Sequence, residues 1–209
     1  MGMKLLRSSR SPFVRKVMLV AHETGLAPQI ECVRTVVAPT KPNAEVMSLN
    51  PLNKLPTLVT DGGRALYDSR VIVEYLDGLH GGPRLFPAAG EARFEALRLQ
   101  ALGDGTLDFL LLGLSERARP AEQQSPELKA ALAVKFKAAF DQLEGEVAGP
   151  ALSGDILTIG HIAVAAVCGY ADFRYGPENW RSGRPRLAAW HERFAARASY
   201  RATEHKDVY

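Results

Sequence analysis

The sequence predicts an α/β front half followed by an all-helical rear half in a chain of 209 residues. Three patterns support this prediction. The chain opens with a strand, a helix and a second strand, and a turn at residues 61–63 then separates two more short strands. After residue 90 the alternation of apolar and polar residues is no longer convincing, whereas helical spacing continues. An apolar content of 46% supplies enough side chains for a substantial core.

The front half begins with a short strand at residues 3–6 and a helix. Ser11-Pro12 predicts the helix start, because serine caps helix N-termini and proline suits the first helical position. Gly25 predicts the helix end, since glycine takes the left-handed conformation without strain. Residues 29–33 alternate in polarity, which predicts a second strand.

The remainder of the front half contains a hairpin and another helix. Repeated prolines predict an irregular segment over residues 39–51. Two short strands then flank Asp61-Gly62-Gly63, a strong signal for a β-hairpin. From Ser69 onward, apolar residues recur at helical spacing, and the helix is predicted to end at residues 81–83 (GGP).

A connection rich in proline, glycine and alanine separates the two halves. We therefore predict a front domain over residues 1–81, a linker over 82–90 and an all-helical domain over 91–209. The helices predicted in the rear domain cover residues 91–117, 126–147, 158–173 and 185–197. The third of them is nearly all apolar, which predicts a helix that is buried on most of its circumference.

The use of cysteine and histidine predicts neither a disulfide nor a metal site. The two cysteines, Cys32 and Cys168, show no C-x-x-C pairing. Each is interpreted as a core residue, Cys32 in the second strand and Cys168 in a helix. Because no His/Asp/Glu cluster has the spacing of metal ligands, we expect no metal.

Charge and hydropathy indicate which classes of partner to exclude and which cellular compartment to expect. The formal charge of +3 is spread along the chain, so neither a nucleic acid nor a membrane is expected as a partner. No apolar run approaches the roughly 18–20 residues that a membrane span needs, and the pattern of a signal peptide is missing. Together with cysteine usage typical of a reducing compartment, these observations predict a cytoplasmic protein.

Three segments resemble the glutathione transferase family. They are residues 5–17 (LLRSSRSPFVRKV), 50–58 (NPLNKLPTL) and 66–70 (LYDSR). The first is similar to the Ser-Pro-Phe opening of serine-type and related bacterial members, the second to the family's cis-proline segment, and the third to the acidic-Ser pair that opens its third helix. In this order, ahead of a helical second half, the three are highly specific, and the resemblance extends over nearly the whole chain.

The resemblance implies a fold, a co-substrate and an assembly. The front domain is expected to be thioredoxin-like, with a mixed four-stranded sheet, and the rear domain to be all-α. Glutathione is expected as the co-substrate and a small electrophile as the second substrate. By the same resemblance, the expected assembly is a homodimer.

Glutathione carries two carboxylates, an ammonium group and a thiol, and the matched motifs suggest a partner for each. A cis bond at Pro56 would expose the backbone of Leu55 to pair with the cysteinyl unit as an added strand does. Asp68 would take the ammonium group. The hydroxyl of Ser69, with free N–H groups at a helix N-terminus, would hold the γ-glutamyl carboxylate. Phe13 is a further candidate glutathione-binding residue.

Two assignments have alternatives that the sequence leaves open. Ser69 can serve as a helix cap alone, although the accompanying motifs favour a binding role. Lys54 can meet the glycyl carboxylate of glutathione or remain a solvated surface lysine.

Ionisation of the thiol requires a hydrogen-bond donor, and three serines are candidates. Ser11 stands at the start of the first helix, where its hydroxyl can donate to the thiolate and the helix dipole also favours negative charge. We expect this role for Ser11 ahead of Ser9 and Ser8, and the sequence leaves all three open. Family members with cysteine at the position of Ser11 favour thiol–disulfide exchange. Serine cannot form the mixed disulfide, so conjugation, isomerisation or peroxide reduction is expected.

The leading hypothesis is a glutathione transferase that attacks a small apolar electrophile or a peroxide, in a pocket lined by rear-domain helices. A second hypothesis is a non-catalytic binding or regulatory protein that retains the fold. A third is a glutathione-dependent isomerase or dehalogenase. Retention of Ser11, Pro56 and the Asp68-Ser69 pair disfavours the second hypothesis.

One position departs from the family pattern. The buried helix of relatives starts with T-x-x-D, and in this chain residues 158–161 are TIGH. Thr158 can still cap the helix, but a protonated His161 would oppose the helix dipole. We therefore expect this cap to weaken at acid pH.

Overall fold

The structure is a computed structural model that describes residues 2–154 and 156–207. They form two compact units, the first with residues 2–85 and 198–207 and the second with Phe86–Arg197. By their contacts residues 198–207 thus group with the first unit, whereas the division predicted from the sequence includes them in the rear domain.

Both units contain helices. In the first unit they are α1 (Pro12–Glu23), α2 (Ala44–Leu49) and α3 (Ser69–Asp77). The second unit contains α4 (Gly90–Arg117), α5 (Pro126–Glu146), α6 (Pro150–Ser153), α7 (Ile159–Arg174) and α8 (Pro185–Ala195). The chain then returns to the first unit with α9 (Ala198–Ala202).

The first unit is built on a mixed four-stranded sheet, as predicted. Its strands are β1 (Met3–Arg7), β2 (Ile30–Arg34), β3 (Thr57–Val59) and β4 (Ala65–Leu66), in the order β2-β1-β3-β4. β1 and β2 are parallel, because α1 crosses over between them. β3 is antiparallel to both β1 and β4, and β3 and β4 form the hairpin predicted at residues 61–63.

α1 supplies much of the core of the first unit. Every residue from Val14 to Ala21 is buried, and α1 packs against α3 and α9. On the sheet, Leu5 and Leu58 are fully buried. Gly25 has a φ of 71° two residues after α1, as expected of a glycine that ends a helix. This arrangement of helices on a mixed sheet confirms the thioredoxin-like prediction.

The expectation of an irregular segment over residues 39–51 is wrong, because this segment contains α2. Its start is capped by Asn43, whose Oδ1 accepts hydrogen bonds from the N–H groups of Glu45 and Val46 at 3.1 and 3.3 Å. The prolines at residues 42 and 51 flank α2 and leave its interior free, which is where proline is tolerated.

The prediction that Cys32 is a core residue is also wrong, because its side chain is exposed. Cys32 lies on β2, which is an edge strand of the sheet. Its Sγ is 3.9 Å from Sδ of Met18 and 3.6 Å from a guanidinium nitrogen of Arg7. The alternating pattern gave the correct strand, but an edge position leaves a side chain on the inner face uncovered.

In the described part of the second unit, all the regular elements are helices. α7 packs along α4 and is buried from Ile159 to Ala171, as predicted. Cys168 is fully buried within it, and this burial raises the pKa of the Cys168 thiol. Of the helices described, none has both the length and the apolar character required to cross a membrane.

The start of α7 is closed by Thr158 and His161. The Thr158 side chain accepts from the backbone N–H of His161, and the Thr158 N–H donates to His161 Nδ1 at 3.2 Å. Because Nδ1 accepts a hydrogen bond, the ring is neutral and carries its proton on Nε2. Burial and, secondarily, the charge of Arg197 lower the pKa of His161 to about 4. His161 therefore closes the capping box as a neutral side chain, in place of the family's acid.

Candidate functional site

One edge of the sheet collects the three segments that resemble the family. Because β1 and β3 are antiparallel, the end of β1 lies beside the start of β3. β4 is antiparallel to β3 in turn, so the end of β4 lies at the same edge. The loop over residues 8–11, the Leu55–Pro56 bond and the Asp68-Ser69 pair therefore all adjoin this edge, together with the N-termini of α1 and α3.

Ser11 forms the N-cap of α1. Its backbone is extended, and its Oγ accepts a hydrogen bond from the Val14 N–H at 3.3 Å. Pro12 occupies the first helical position, as predicted. In the part of the chain that the structure describes, no acceptor is found for the proton of the Ser11 hydroxyl. Capping thus uses an oxygen lone pair and leaves the proton available to a ligand.

The neighbouring serines have different partners. The Oγ of Ser9 donates to the carbonyl of Lys206 at 2.9 Å, so its proton is used within the chain. The Oγ of Ser8 accepts from the N–H of Arg10 at 3.3 Å, and the Ser8 carbonyl accepts from the N–H of Ser11 at 3.2 Å. These bonds form a turn that ends at Ser11, at the start of α1.

The start of α1 favours negative charge. Its first turn contains no acidic residue, and the unsatisfied N–H groups of a helix start carry partial positive charge. Arg15 and Lys16 follow directly, and both are buried. Phe13 lies in the first turn, where the Nζ of Lys16 is 5.7 Å from the centroid of its ring. A ligand anion at this helix end would therefore meet positive potential.

Pro56 lies immediately before β3, and the Leu55–Pro56 peptide bond is cis, as expected. Pro56 is buried and Leu55 is half-buried. Among the described residues, the backbone groups of Leu55 take part in no hydrogen bond. They are therefore available to form backbone hydrogen bonds with an extended peptide, as two neighbouring β-strands do.

A buried amide holds the loop that precedes Pro56. The side-chain NH₂ of Asn50 donates to the carbonyl of Lys54 at 3.2 Å and to Oγ1 of Thr57 at 2.9 Å. Its Oδ1 accepts from the N–H of Leu52 at 3.1 Å. Asn50 begins the motif at residues 50–58, but its sequence position alone predicted no role for it. The Lys54 side chain is exposed, which fits both interpretations made from the sequence.

Asp68 is the N-cap of α3, and Ser69 is its first helical residue. The Oδ1 of Asp68 accepts from the N–H of Arg70 at 2.9 Å, and the Tyr67–Asp68 peptide bond is cis. The alternative in which Ser69 is the helix cap is therefore wrong. Ser69 is 3% exposed, and its hydroxyl has no hydrogen-bond partner among the described residues. The second carboxylate oxygen of Asp68 and the Ser69 hydroxyl can both face a ligand.

Metal-ligand chemistry has no candidate residues in the described ranges. Over residues 2–154 and 156–207, no group of three or more His, Cys, Asp or Glu side chains is placed to hold a metal ion. The chemistry that the sheet edge offers consists of hydroxyl protons, backbone N–H groups and one free carboxylate oxygen.

Comparison with known proteins finds relatives of both units. Residues 10–79 match the family model for the glutathione S-transferase N-terminal domain, and residues 126–193 match that for the glutathione S-transferase C-terminal domain. The uncharacterized GST-like protein YibF of Escherichia coli (strain K12) is 34% identical over 202 residues, which cover 97% of this chain and 98% of that protein.

Two solved structures are similar over nearly the whole chain. A glutathione transferase family member from Pseudomonas fluorescens Pf-5, crystallised with bound glutathione, has a TM-score of 0.94 and 38% identity, over 98% of this chain and 100% of that chain. A glutathione S-transferase from Methylobacillus flagellatus, with GSH bound, has a TM-score of 0.87 and 31% identity, again over 98% of this chain and 100% of that chain.

Proposed function

Because this chain belongs to the glutathione S-transferase family, we propose that it binds glutathione and ionises its thiol for attack on a small apolar electrophile or a peroxide. One observation carries the proposal. The Ser11 hydroxyl caps α1 as an acceptor and keeps its proton for a ligand, at the sheet edge that Leu55 and Ser69 share.

Each part of glutathione has a partner at this edge. The backbone of Leu55 pairs with the cysteinyl unit, since its N–H and C=O are not used within the described chain. The Ser69 hydroxyl and the N–H groups at the start of α3 hold the γ-glutamyl carboxylate. Asp68 accepts from the ammonium group through the oxygen that does not cap α3. That glutathione is bound in the structures of the two bacterial relatives supports glutathione as the ligand of this chain.

Two further residues complete the proposed site. Lys54 is exposed and can reach the glycyl carboxylate of glutathione as a mobile cation. Phe13 follows Ser11 by two residues in the first turn of α1 and would provide an apolar surface beside the sulfur.

Ser11 contributes to the reaction by stabilising the thiolate. A hydrogen bond to a charged group contributes about 1.5–3 kcal/mol, which lowers the pKa of a thiol by roughly one to two units. From a reference of about 8.5, the thiol of bound glutathione would then titrate near neutral pH. The thiol proton leaves to solvent, the sulfur forms a bond to the electrophilic carbon, and the leaving group departs with its electron pair.

The hydrogen bonds of the serine loop favour Ser11 over its neighbours. A hydroxyl has one proton, and that of Ser9 is donated to the Lys206 carbonyl. The Ser8 hydroxyl accepts from a loop N–H and lies three residues before the helix cap. Ser11 alone of the three combines an uncommitted proton, among the described residues, with the N-terminal position on α1.

A homodimer is part of the proposal, on the basis of the family resemblance. Sedimentation equilibrium of the full chain tests it, with an expected mass of about twice 22.8 kDa. A monomer across the micromolar range would refute this part of the proposal alone.

The experiment that tests the function combines binding with turnover. Isothermal calorimetry should give a saturable heat with reduced glutathione, and a generic aryl halide should be conjugated faster than in buffer. Binding without conjugation of any aryl halide, and without reduction of any peroxide to its alcohol at the expense of two molecules of glutathione, would point to a glutathione-dependent isomerase or dehalogenase. If millimolar glutathione gave no heat and no turnover, the chain would be a non-catalytic binding or regulatory protein, and the proposal would fail.

A further inference from the structure

The last described segment of the chain, residues 203–207, lies on the loop that carries the candidate serines; we call it the tail. The Ser9 carbonyl accepts from the Lys206 N–H at 3.4 Å and lies 3.1 Å from Nδ1 of His205. The Ser9 Oγ donates back to the Lys206 carbonyl at 2.9 Å. Arg10 Nε and Asp207 Oδ1 form an ion pair at 2.7 Å. The tail therefore contacts two successive residues of a four-residue loop.

The root of the tail is fixed to α1 by α9. The Ser199 hydroxyl donates to the carboxylate of Glu23 near the end of α1. The guanidinium group of Arg15 donates to the Tyr200 carbonyl at 3.3 Å and lies 3.9 Å from the centroid of the Tyr200 ring. Arg15, Ser199 and Tyr200 are all buried. The tail thus starts from a buried anchor on α9 and extends to the loop that precedes α1.

Between α1 and the tail lies a cavity of about 150 Å³. Its lining is partly polar and includes Arg7, His22, Glu204 and Lys206. The tail is therefore not held by a packed apolar surface over this stretch. Thr203 at its start bonds to α9 through the carbonyls of Ser199 and Tyr200, and the hydrogen bonds to Ser9 and the ion pair to Arg10 tie the rest of the tail to the loop. Such contacts are individually weak, so single substitutions can release the tail without unfolding the unit.

We propose that the tail positions the Ser11 hydroxyl, with Ser9 and Asp207 as positioning residues that do not touch the thiol. The proposal rests on the proposed function of Ser11. The turn that presents Ser11 runs from the Ser8 carbonyl to the Ser11 N–H. The two residues enclosed by this turn, Ser9 and Arg10, are the ones tied to the tail. Holding them restricts the loop, so that the hydroxyl is oriented before glutathione arrives.

The inference gives Ser9 a role that differs from direct catalysis. If Ser9 donated to the thiolate, Ser9→Ala would lower the activity of the enzyme by the same factor whether or not Asp207 is also substituted. A positioning serine would act with Asp207, because both hold the same loop, and their effects would be non-additive. Ser9→Thr retains a hydroxyl donor and should restore most of the function lost in Ser9→Ala.

The first measurement is hydrogen exchange of the Arg10 and Ser11 amides in the full chain. We expect exchange at least about tenfold faster in the Ser9→Ala/Asp207→Asn double variant than in the wild type, because the loop opens locally. Glu31→Gln is a matched control, since it breaks the surface ion pair between Lys4 and Glu31 at 3.5 Å within the same unit. Its loop amides should exchange at the wild-type rate.

The second measurement is the pH dependence of kcat/KM for conjugation of an aryl halide. The double variant should show an apparent thiol pKa raised toward the free value and kcat/KM at neutral pH reduced roughly threefold to tenfold. The KM for the aryl halide should stay the same. A tail that only adds stability would leave this pH profile unmoved while lowering the thermal midpoint.

The outcomes separate this inference from the proposed function. If hydrogen exchange at the Arg10 and Ser11 amides were unchanged in the double variant, the inference would be overturned, independently of the kinetic results. If exchange were faster but the pH profile of kcat/KM were unchanged, the positioning role would be refuted. A pKa shift in Ser9→Ala alone, with no effect of Asp207→Asn, would make Ser9 a thiol contact and overturn the inference. If wild-type protein did not bind glutathione, the proposed function and the positioning role would both fail, and exchange would still report whether the tail holds the loop.

Discussion

Two helices of this protein start with the same Ser-Pro pair, and among the residues that the structure describes only one of the two serines has an acceptor for its hydroxyl proton. Ser11-Pro12 begins α1 and Ser125-Pro126 begins α5. Both serines accept a hydrogen bond from the N–H three residues ahead, at 3.3 Å from Val14 and 3.1 Å from Leu128. As helix caps the two are equivalent.

The two starts differ in the residue after the proline. The Ser125 hydroxyl donates to Oε2 of Glu127 at 2.9 Å, and the Ser125 N–H donates to the buried carboxylate of Glu116. Hydrogen bonds from its own N–H and from Ser125 lower the pKa of Glu127. At the matching position α1 has Phe13, which cannot accept a proton from Ser11. A helix cap can thus serve as a thiol site where its second helical residue leaves the hydroxyl proton unused.

The strongest test of this comparison introduces at α1 the acidic residue that accepts the serine proton at α5. Phe13→Glu places a carboxylate where Glu127 stands relative to Ser125, so the Ser11 proton is taken and a thiolate is repelled. We expect kcat/KM for conjugation to fall about a hundredfold, from the lost hydrogen bond and like-charge repulsion together. Steady-state kinetics should compare it with Phe13→Leu, which removes the ring without adding charge. Equal losses in the two variants would show that packing, and not the acid, is responsible.

Removing the hydroxyl should have the next largest effect. Ser11→Ala should lower kcat/KM about ten- to thirtyfold, equivalent to the loss of one hydrogen bond to a charged group. The calorimetric Kd of glutathione should change little, because the rest of the tripeptide keeps its partners. Ser9→Ala and Ser8→Ala provide the comparison. A wild-type rate in Ser11→Ala would eliminate Ser11 as the thiol's donor.

At a third helix start, that of α7, the cap makes the free energy of unfolding depend on pH. His161 has a pKa of about 4 in the fold against an ordinary value of 6.5, so the unfolded chain binds more protons between these values. The contribution of this cap to the free energy of unfolding is complete above about pH 6.5 and is lost as pH falls toward 4. We expect a loss of about 1–2 kcal/mol, less than the full shift implies, because the cap can open locally.

Urea denaturation at several pH values measures this loss. His161→Asn keeps a side-chain acceptor but does not titrate, so its stability should fall less over the same range. Parallel profiles for wild type and His161→Asn would contradict the role given to His161.

The smallest effect is expected at the start of α5, where the Ser125 proton has an acceptor within the chain. Ser125→Ala should reduce the free energy of unfolding by about 1 kcal/mol, the usual contribution of an N-cap serine. Conjugation kinetics should remain at the wild-type level, since the Ser125 proton already has an acceptor in Glu127. A loss of activity as large as that of Ser11→Ala would mean that capping itself, and not the free proton, governs the rate.

Local patterns predicted much of the fold. Ser11-Pro12, Gly25 and the Asp-Gly-Gly turn each fix the backbone within a few residues, and the structure confirms all three. The short helix α2 escaped prediction because its prolines lie at its borders. The exposure of Cys32 was not predicted, because alternation tells which face of the sheet a residue is on, and not whether that face is covered at an edge strand.

The site was predictable only in part, and the missing part is long-range. The motifs indicated Ser11, Pro56 and Ser69, and the sheet order brings their segments to one edge. The contact between Ser9 and Lys206 spans 197 positions, and no local pattern signals it. Asn50 was visible in its motif, but its role depends on three hydrogen bonds that only the folded loop reveals.

The central claim is that the proton of Ser11 stabilises the thiolate of bound glutathione. Titration of the thiolate's ultraviolet absorbance in the protein–glutathione complex measures this directly. The wild type and Ser125→Ala should give a bound thiol pKa about one to two units below the free value of about 8.5, and Ser11→Ala should return it most of the way. A bound thiol that titrates at the free value in the wild type, or equally low in Ser11→Ala, would contradict the account.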